Sequence, residues 1–355
     1  MIQLVLDDTF IKKYLFPFTL TRAAADIRIG ILTIREKWEQ LLGQPVMVNG
    51  DGYLMPPAQE AASVPIVFSG NIVPSKLFIE ELLKGNYAQE DFLKQSSVRI
   101  LQHPWHIFEY NGWAIEEDFR LITAKRQSQP LPASVQVINP ANIFIEPGAK
   151  LQYCILNASA GPIYIGKNAE IMEGSMIRGP FALCEGAVVK MGSKIYGATT
   201  IGPYSVVGGE IKNAVIFGYS NKAHDGYLGD AVIGEWCNLG AGTSNSNLKN
   251  NAGTVKVWSE ASNEMVAAGL KCGLLMGDYS RSAINTSFNT GTVVGACANV
   301  FGEGLTPKFI PSFSWGKEGK YEFDKALQDI RNWKKLKNKT LTEKEIQMLE
   351  HIFGG

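Results

Sequence analysis

From Ile165 onward the chain can be cut into consecutive sixes, IGKNAE, IMEGSM, IRGPFA, LCEGAV, VKMGSK, IYGATT, IGPYSV and VGGEIK, and every one opens with an aliphatic residue. The fifth place is usually small, as at Ala169, Ser175, Ala187, Ser193, Thr199 and Ser205, and glycine is frequent at the second and fourth. A period of six matches neither a helix nor a simple alternating strand. It is the period of a parallel β-helix, in which each hexad supplies one short strand and a corner, and three hexads close a triangular rung. The branched residue then points inward and the small one leaves room at the turn. The pattern is present upstream as IEPGAK at Ile145 and returns as IGEWCN at Ile233 and LGAGTS at Leu239, so the coil is expected over residues 135–302. Two polar stretches interrupt it, NKAHDGYLGD and SNSNLKNNAGTVKVWSEASNEM.

Residues 1–130 read differently. MIQLVL and VPIVFS are apolar strand candidates, while RIGILTIREKWEQLLG and SKLFIEELLKG carry helical spacing, which predicts a small α/β domain. QSQPLPASVQ, with two prolines in a polar setting, is the expected linker. Residues 303–355 form a C-terminal extension. Its first part, GLTPKFIPSFSWGKEGKYEF, is rich in proline and aromatics and is expected along the coil surface. Two helices follow: one over 321–337 with Phe323, Leu327, Ile330 and Trp333 on one face, and one capped by Thr342 with Glu345 three residues on. Such a pair would cap an open end of the coil.

The 355 residues carry 34 basic and 34 acidic side chains, so the charge balance offers no case for nucleic acid or an anionic membrane. The start of the chain lacks the features of a secretory signal, and no stretch approaches the length of a membrane span; a cytoplasmic protein is the expectation. The five cysteines, Cys154, Cys184, Cys237, Cys272 and Cys297, never form a C-x-x-C and read as small core residues.

The interior of such a coil is filled by its own side chains, so chemistry belongs outside, in loops that leave it and in clefts between neighbouring coils. NKAHDGYLGD carries His224, the one histidine in the coil; His103, His106 and His351 read as structural. A single imidazole is too few for the usual zinc site. At three hexads per rung, Lys194 and Lys212 should stack one above the other and form an anion site suited to phosphate.

KAHDGYLGDAVIGEWCNLGAGTSNSN resembles the acetyltransferase domain of the bacterial bifunctional UDP-N-acetylglucosamine pyrophosphorylase and glucosamine-1-phosphate N-acetyltransferase family. The resemblance implies a left-handed parallel β-helix, a homotrimer, and transfer of an acetyl group from acetyl-CoA to an amino-sugar phosphate in a cleft between subunits. Carried over by position, it makes His224 the general base and Asn238 a catalytic neighbour. Lys194, Lys212, Tyr227 and Asn247 become substrate contacts, and Ala241, Ile284 and Gly302 contacts to coenzyme A. Lys194 stands where the family has an arginine, Leu248 replaces a tyrosine, and Asp225 is an acid absent from the motif. The chemistry of the residues agrees: an amine attacking a thioester must lose a proton, and an imidazole of ordinary pKa near ~6.5 can take it, for about 10² to 10⁴ in rate.

LFPFTLTRAAADIRIG resembles a segment of sugar-1-phosphate nucleotidyltransferases, with Arg22 as the matching arginine. The glycine-rich phosphate loop is replaced by VLDDTFIKKY, and the family's lysine falls at Ala24. The whole chain is similar to a divergent group of sugar nucleotidyltransferases. Three readings stay open. The first is an amino-sugar-phosphate acetyltransferase with a divergent N-terminal domain. The second has that domain transferring a uridylyl or thymidylyl group from UTP or dTTP with Mg²⁺, through Asp7 or Asp8 and Arg22 or Arg28. The third is a non-catalytic scaffold that binds sugar nucleotides.

Overall fold

The computed structural model describes residues 3–54, 65–85 and 98–355. Met1 and Ile2 of the first expected strand and Val64 of the second lie outside them. Strand β1 (Leu4–Asp7) runs parallel to both β2 (Met47–Asn49) and β3 (Ile66–Ser69), in the order β2-β1-β3. Helix α1 (Ile34–Leu42) starts later than its apolar spacing suggests. Thr33 caps it in a reciprocal box with Glu36, and the preceding residues form a turn instead. The Asp118 carboxylate holds that turn: it accepts the amides of Ile31 at 2.7 Å and Leu32 at 3.0 Å and pairs with the buried Lys37. Gly30, at φ 73°, is required there, because a Cβ would lie 2.5 Å from the same carboxylate. Among the described residues three more helices belong to the domain: α2 (Lys76–Leu83), α3 (His106–Glu109) and α4 (Asn111–Thr123).

The solenoid begins at Gln136, and it is a parallel coil of left-handed type. The hexad openers Ile165, Ile171, Ile177, Leu183, Val189, Ile195, Ile201 and Val207 are all buried, as are the small residues at the fifth places from Ala169 to Ser205. All five cysteines are buried and free. The first rungs are longer, Ile145 pairing with Ile165; from there partners lie three hexads apart, Ile165 with Leu183 and Leu183 with Ile201, until the rung after Ile201 closes early on Ile216. The cause is two tightened corners: Gly208-Gly209 replaces a four-residue turn, and Asn213 at φ 50° alone makes the next one.

The first polar stretch does not leave the coil. Asn221–Lys222 pairs with Val206–Val207, and Tyr227–Ile233 pairs along the whole of Glu210–Ile216, so His224 sits on a corner of normal length. The second stretch does leave it: Lys256–Ser259 and Glu264–Ala267 form an antiparallel hairpin, whose Val255 and Val257 join the apolar cluster of the N-terminal domain. The segment after Gly302 is not a surface strap. Phe309–Ile310 pairs with Val293–Val294, and Trp315 with Asn299, so it builds one more rung. Gly319–Lys320 then folds back antiparallel on Ser314–Trp315 and covers the terminal strand edge.

Two of the three coil faces are covered. The N-terminal domain packs on the second face, where Val215, Phe217, Val232, Leu275 and Val293 share one core with Leu6, Phe18 and Trp38. Helices α5 (Phe323–Leu336) and α6 (Glu343–Gly354) lie along the flank of the coil, not across its end. They are drawn there by a column of aromatics at the corner between the second and third faces: Tyr204, Tyr219, Trp236, Tyr279 and Phe313, each with φ between 56° and 62°. Tyr219 stacks on Tyr204 at 5.2 Å and on Trp236 at 4.3 Å. The repeated left-handed turn aims a ring outward at each of these rungs, Cys297 alone standing in the column between Tyr279 and Phe313, and the ladder needs an apolar cover. The Thr342–Glu345 capping box forms as its spacing predicts.

Candidate functional site

The strand register places four residues on one edge of the prism. Leu239 follows Lys222 in the inward column of the third face, Ser282 pairs with Leu239, and Val300 with Ser282. Two residues past each of these stand His224, Ala241, Ile284 and Gly302. Backbone bonds tie the turns together: the Gly242 amide donates to the Asp225 carbonyl at 3.0 Å, and the Asn285 amide to the Ala241 carbonyl at 2.7 Å. With strands ~4.8 Å apart, the row spans about 14 Å. His224 is exposed, and Ile284 is 69% exposed.

Lys222 supports the histidine's turn. It occupies an inward position between Val207 and Leu239, where the repeat calls for an aliphatic residue, and is 1% exposed. Its ammonium donates to the carbonyls of Gly208 and His224, and burial lowers its pKa to about 8. A buried cation is costly unless its protons are satisfied, so it fixes the corner that carries the imidazole.

Beside this edge the first face carries a polar network. Asp230, buried at φ 47°, accepts from Asn213 at 2.7 Å and from Asn247, whose amide nitrogen also lies 3.1 Å from the Tyr227 hydroxyl. Burial raises the Tyr227 pKa, and the Asp230 charge adds to the effect. Gly229 makes room for the ring, since a Cβ would meet the Tyr227 hydroxyl at 2.2 Å. Asn245 clamps the same glycine through both its amide and its carbonyl, at 2.9 and 3.0 Å. Sequence reasoning missed Asp230, although an acid inside an otherwise apolar strand, YLGDAVI, is a readable signal.

The expected lysine stack does not form. Because the rung between them is short, Lys194 faces Glu210 and Lys212 faces Tyr196. The two lysines are diagonal neighbours on the first face, about 8 Å apart by strand geometry, with Glu210 held by the Tyr196 hydroxyl at 2.6 Å. Asn238 belongs to a different surface. It lies in the third-face column of Asn221, Arg281 and Asn299, where Lys337 of the C-terminal segment reaches Asn221 and the Arg281 guanidinium lies 5.6 Å from the Trp333 ring. The structure therefore gathers His224, Ala241, Ile284 and Gly302 on an edge and Tyr227 with Asn247 in a network, and leaves Asn238 on the face under α5.

In the N-terminal domain Asp7, Asp8, Arg22 and Arg28 do not converge. Arg22 forms a two-point ion pair with Asp278 of the solenoid and approaches Glu235 at 3.5 Å, so it bolts the domains together. Arg28 donates to the Ile31 carbonyl and lies 3.6 Å from Glu36. Asp7 accepts from Thr9 and Asn49, while Asp8 turns inward to the Ala24 amide at 2.9 Å, where burial raises its pKa to about 7. Neighbouring residues at a strand end point to opposite sides, so the two acids offer a poor fit to a shared Mg²⁺. Among the described residues, no three His, Cys, Asp or Glu side chains are grouped to hold a metal ion, and no helix is long and apolar enough to cross a membrane.

A parallel coil bearing an exposed histidine edge is joined to a three-stranded parallel domain, an architecture of two fused units. Comparison with known proteins gives that architecture its relatives. Residues 3–98 match the sugar nucleotidyl transferase family. The chain is 28% identical over 201 residues to a bifunctional sugar-1-phosphate nucleotidylyltransferase/acetyltransferase of Sulfurisphaera tokodaii, covering 56% of this chain and 43% of that one. It is 36% identical over 87 residues to the bifunctional protein GlmU of Methanocaldococcus jannaschii, covering 24% and 21%, and 26% identical over 156 residues to GlmU of Synechococcus elongatus, covering 38% and 34%. The solved Arabidopsis UDP-N-acetylglucosamine acyltransferase aligns over 56% of this chain and 76% of its own at 17% identity and a TM-score of 0.25, too distant to bear on function. Residues 3–98 are thus similar to the sugar nucleotidyl transferase family, and the chain is similar, at modest identity, to the bifunctional GlmU-type transferases. The matched segments make up less than half the length of these curated relatives.

Proposed function

We propose that this protein transfers an acetyl group from acetyl-CoA to the amine of an amino-sugar phosphate such as glucosamine-1-phosphate, with His224 as general base. The observation that carries the reading is the row His224, Ala241, Ile284, Gly302 on one solvent-facing edge. An extended thioester laid along that edge meets Gly302 and Ile284 first and brings its carbonyl to the Ala241–His224 end. The imidazole takes the amine proton as nitrogen attacks; the N–C bond forms, the C–S bond breaks, and the thiolate leaves. Tyr227, fixed by Asn247, and Lys212 hold the sugar phosphate beside it.

A corner edge is too shallow to enclose a substrate, and the first face is the one the other domains leave bare. Met176 and Met191 stand 45% and 65% exposed there and at its corner. A second copy seated on this face completes the cleft, and three copies close the ring. The N-terminal domain, whose Arg22 is spent in docking, contributes little or no nucleotidyl transfer. Incubation with acetyl-CoA, glucosamine-1-phosphate, UTP and dTTP tests the reading: thiol release without pyrophosphate release supports it, and pyrophosphate release alone refutes it.

A further inference from the structure

Asp230 is a buried carboxylate that no cation meets. It is 4% exposed, and among the described residues its oxygens are held by two side-chain amides, of Asn213 at 2.7 Å and of Asn247. Backbone geometry does not ask for the charge. Asp230 turns the corner between the first and second faces at φ 47°, and one rung below, between the paired residues Lys212–Gly229 and Ala214–Ala231, Asn213 turns the same corner at φ 50°. An asparagine would therefore serve the turn as well, and a charge taken from water is costly without a cation.

What the charge provides is a direction. An ionised carboxylate only accepts hydrogen bonds, so each amide facing it must present its N–H side and turn its oxygen away. At Asn247 both protons of the nitrogen are then used, one on Asp230 and one on the Tyr227 hydroxyl 3.1 Å away. The Tyr227 oxygen is the acceptor in that bond, which leaves its own proton to donate. Neither amide oxygen accepts a bond from a described residue, and neither is sealed from solvent. The first face beside Lys212 thus has a fixed polarity: two acceptors, from Asn213 and Asn247, and two donors, from Tyr227 and Lys212.

We propose that Asp230 is a positioning residue that sets the acceptor specificity of this face, locking the Asn213 and Asn247 oxygens outward to receive sugar hydroxyls. The identity of the ligand rests on the acetyl-transfer reading. With the phosphate at C1 on Lys212 and Tyr227 and the amine at C2 toward His224, the hydroxyls at C4 and C6, across the ring, are left for the two oxygens. Without the carboxylate either amide is free to turn over and present an N–H where a hydroxyl proton must go, and the match is lost.

Asp230→Asn keeps the shape of the corner and its tolerance of a left-handed turn, and removes the lock. Titration calorimetry with glucosamine-1-phosphate and steady-state acetyl transfer at saturating acetyl-CoA read the consequences. Affinity should weaken and KM rise about tenfold, with kcat within about twofold and no loss of melting temperature. Wild type should bind the 4-deoxy or the 6-deoxy sugar phosphate about tenfold more weakly than the parent, and Asp230→Asn should bind parent and analogue alike. Added to Asn247→Ala, Asp230→Asn should cost less than it does in wild type, because it acts through that amide. Should Asp230→Asn not fold, Asn213→Gly keeps the turn and removes one of the two oxygens, and it should lose the discrimination against one deoxy analogue. An unchanged KM in folded Asp230→Asn, or wild-type affinity indifferent to both missing hydroxyls, overturns the proposal and leaves acetyl transfer standing. Wild type that binds glucosamine-1-phosphate without releasing thiol refutes the transfer reading, and the calorimetry of the variants then decides the role of Asp230. No binding of the sugar phosphate at millimolar concentration overturns both.

Discussion

The edge around His224 and the loop after β1 both offered candidate site residues, and the fold has treated them in opposite ways. Along the edge, a repeat forces every rung to present the same corner position, so His224, Ala241, Ile284 and Gly302 align although 78 residues separate the first from the last. In the loop nothing enforces alignment. Arg22, the residue that best matched a nucleotide-binding motif, is drawn into Asp278 of the coil, and Asp8 is pulled into the core. A periodic scaffold preserves the relative placement of side chains; a small domain that must share its core with a neighbour uses its polar residues for docking.

The comparison can be broken most sharply at the bolt between the two regions. Asp278→Ala removes the two-point partner of the buried Arg22 and leaves it only the looser contact with Glu235 at 3.5 Å, which should destabilise the chain by about 3 kcal/mol, read as a large fall in the denaturant midpoint. If the midpoint hardly moves, the domains are not held together by this pair. A smaller effect is expected at the histidine's support. Lys222→Met keeps the inward volume but frees the His224 carbonyl, so acetyl transfer should fall by about tenfold at neutral pH with little loss of stability. Retained turnover would remove Lys222 from the site. Lys212→Ala should mainly raise the KM for the sugar phosphate, with kcat unchanged, as for binding used equally in ground and transition states.

The remaining effect concerns Asp8 and has a definite sign. Burial lifts its pKa from 3.8 to about 7, so the folded protein holds a proton that the unfolded chain has lost between those values. The stability it contributes is complete below pH ~3.8 and disappears as pH rises through about 7. Asp8→Asn should therefore raise the melting temperature at pH 8 relative to wild type and do least at acid pH. An equal gain at both pH values would show that Asp8 does not titrate with folding.

The hexads made the coil legible because a six-residue period admits few alternatives, and the buried openers from Ile165 to Val207 bear that out. What escaped reading was local. The contraction at Gly208-Gly209 removes residues without disturbing the apolar pattern, and it moves Lys212 out of line with Lys194. The aromatic ladder was hidden because Tyr219, Trp236 and Tyr279 sit at corner places, where the hexad rule asks only for tolerance of a left-handed turn. Its apolar surface, not the open coil end, fixed where α5 and α6 lie. Arg22 was misjudged for a related reason: a motif names a residue type but cannot say which neighbour will claim it.

The central claim, that the edge is the working site, is tested most directly by His224→Ala. His224 is exposed and its side chain makes no hydrogen bond among the described residues, so its removal costs little packing. Thiol release from acetyl-CoA in the presence of glucosamine-1-phosphate, measured beside the melting temperature, should fall about 10²-fold or more while the melting temperature stays that of wild type. Undiminished turnover in a folded variant would contradict the account.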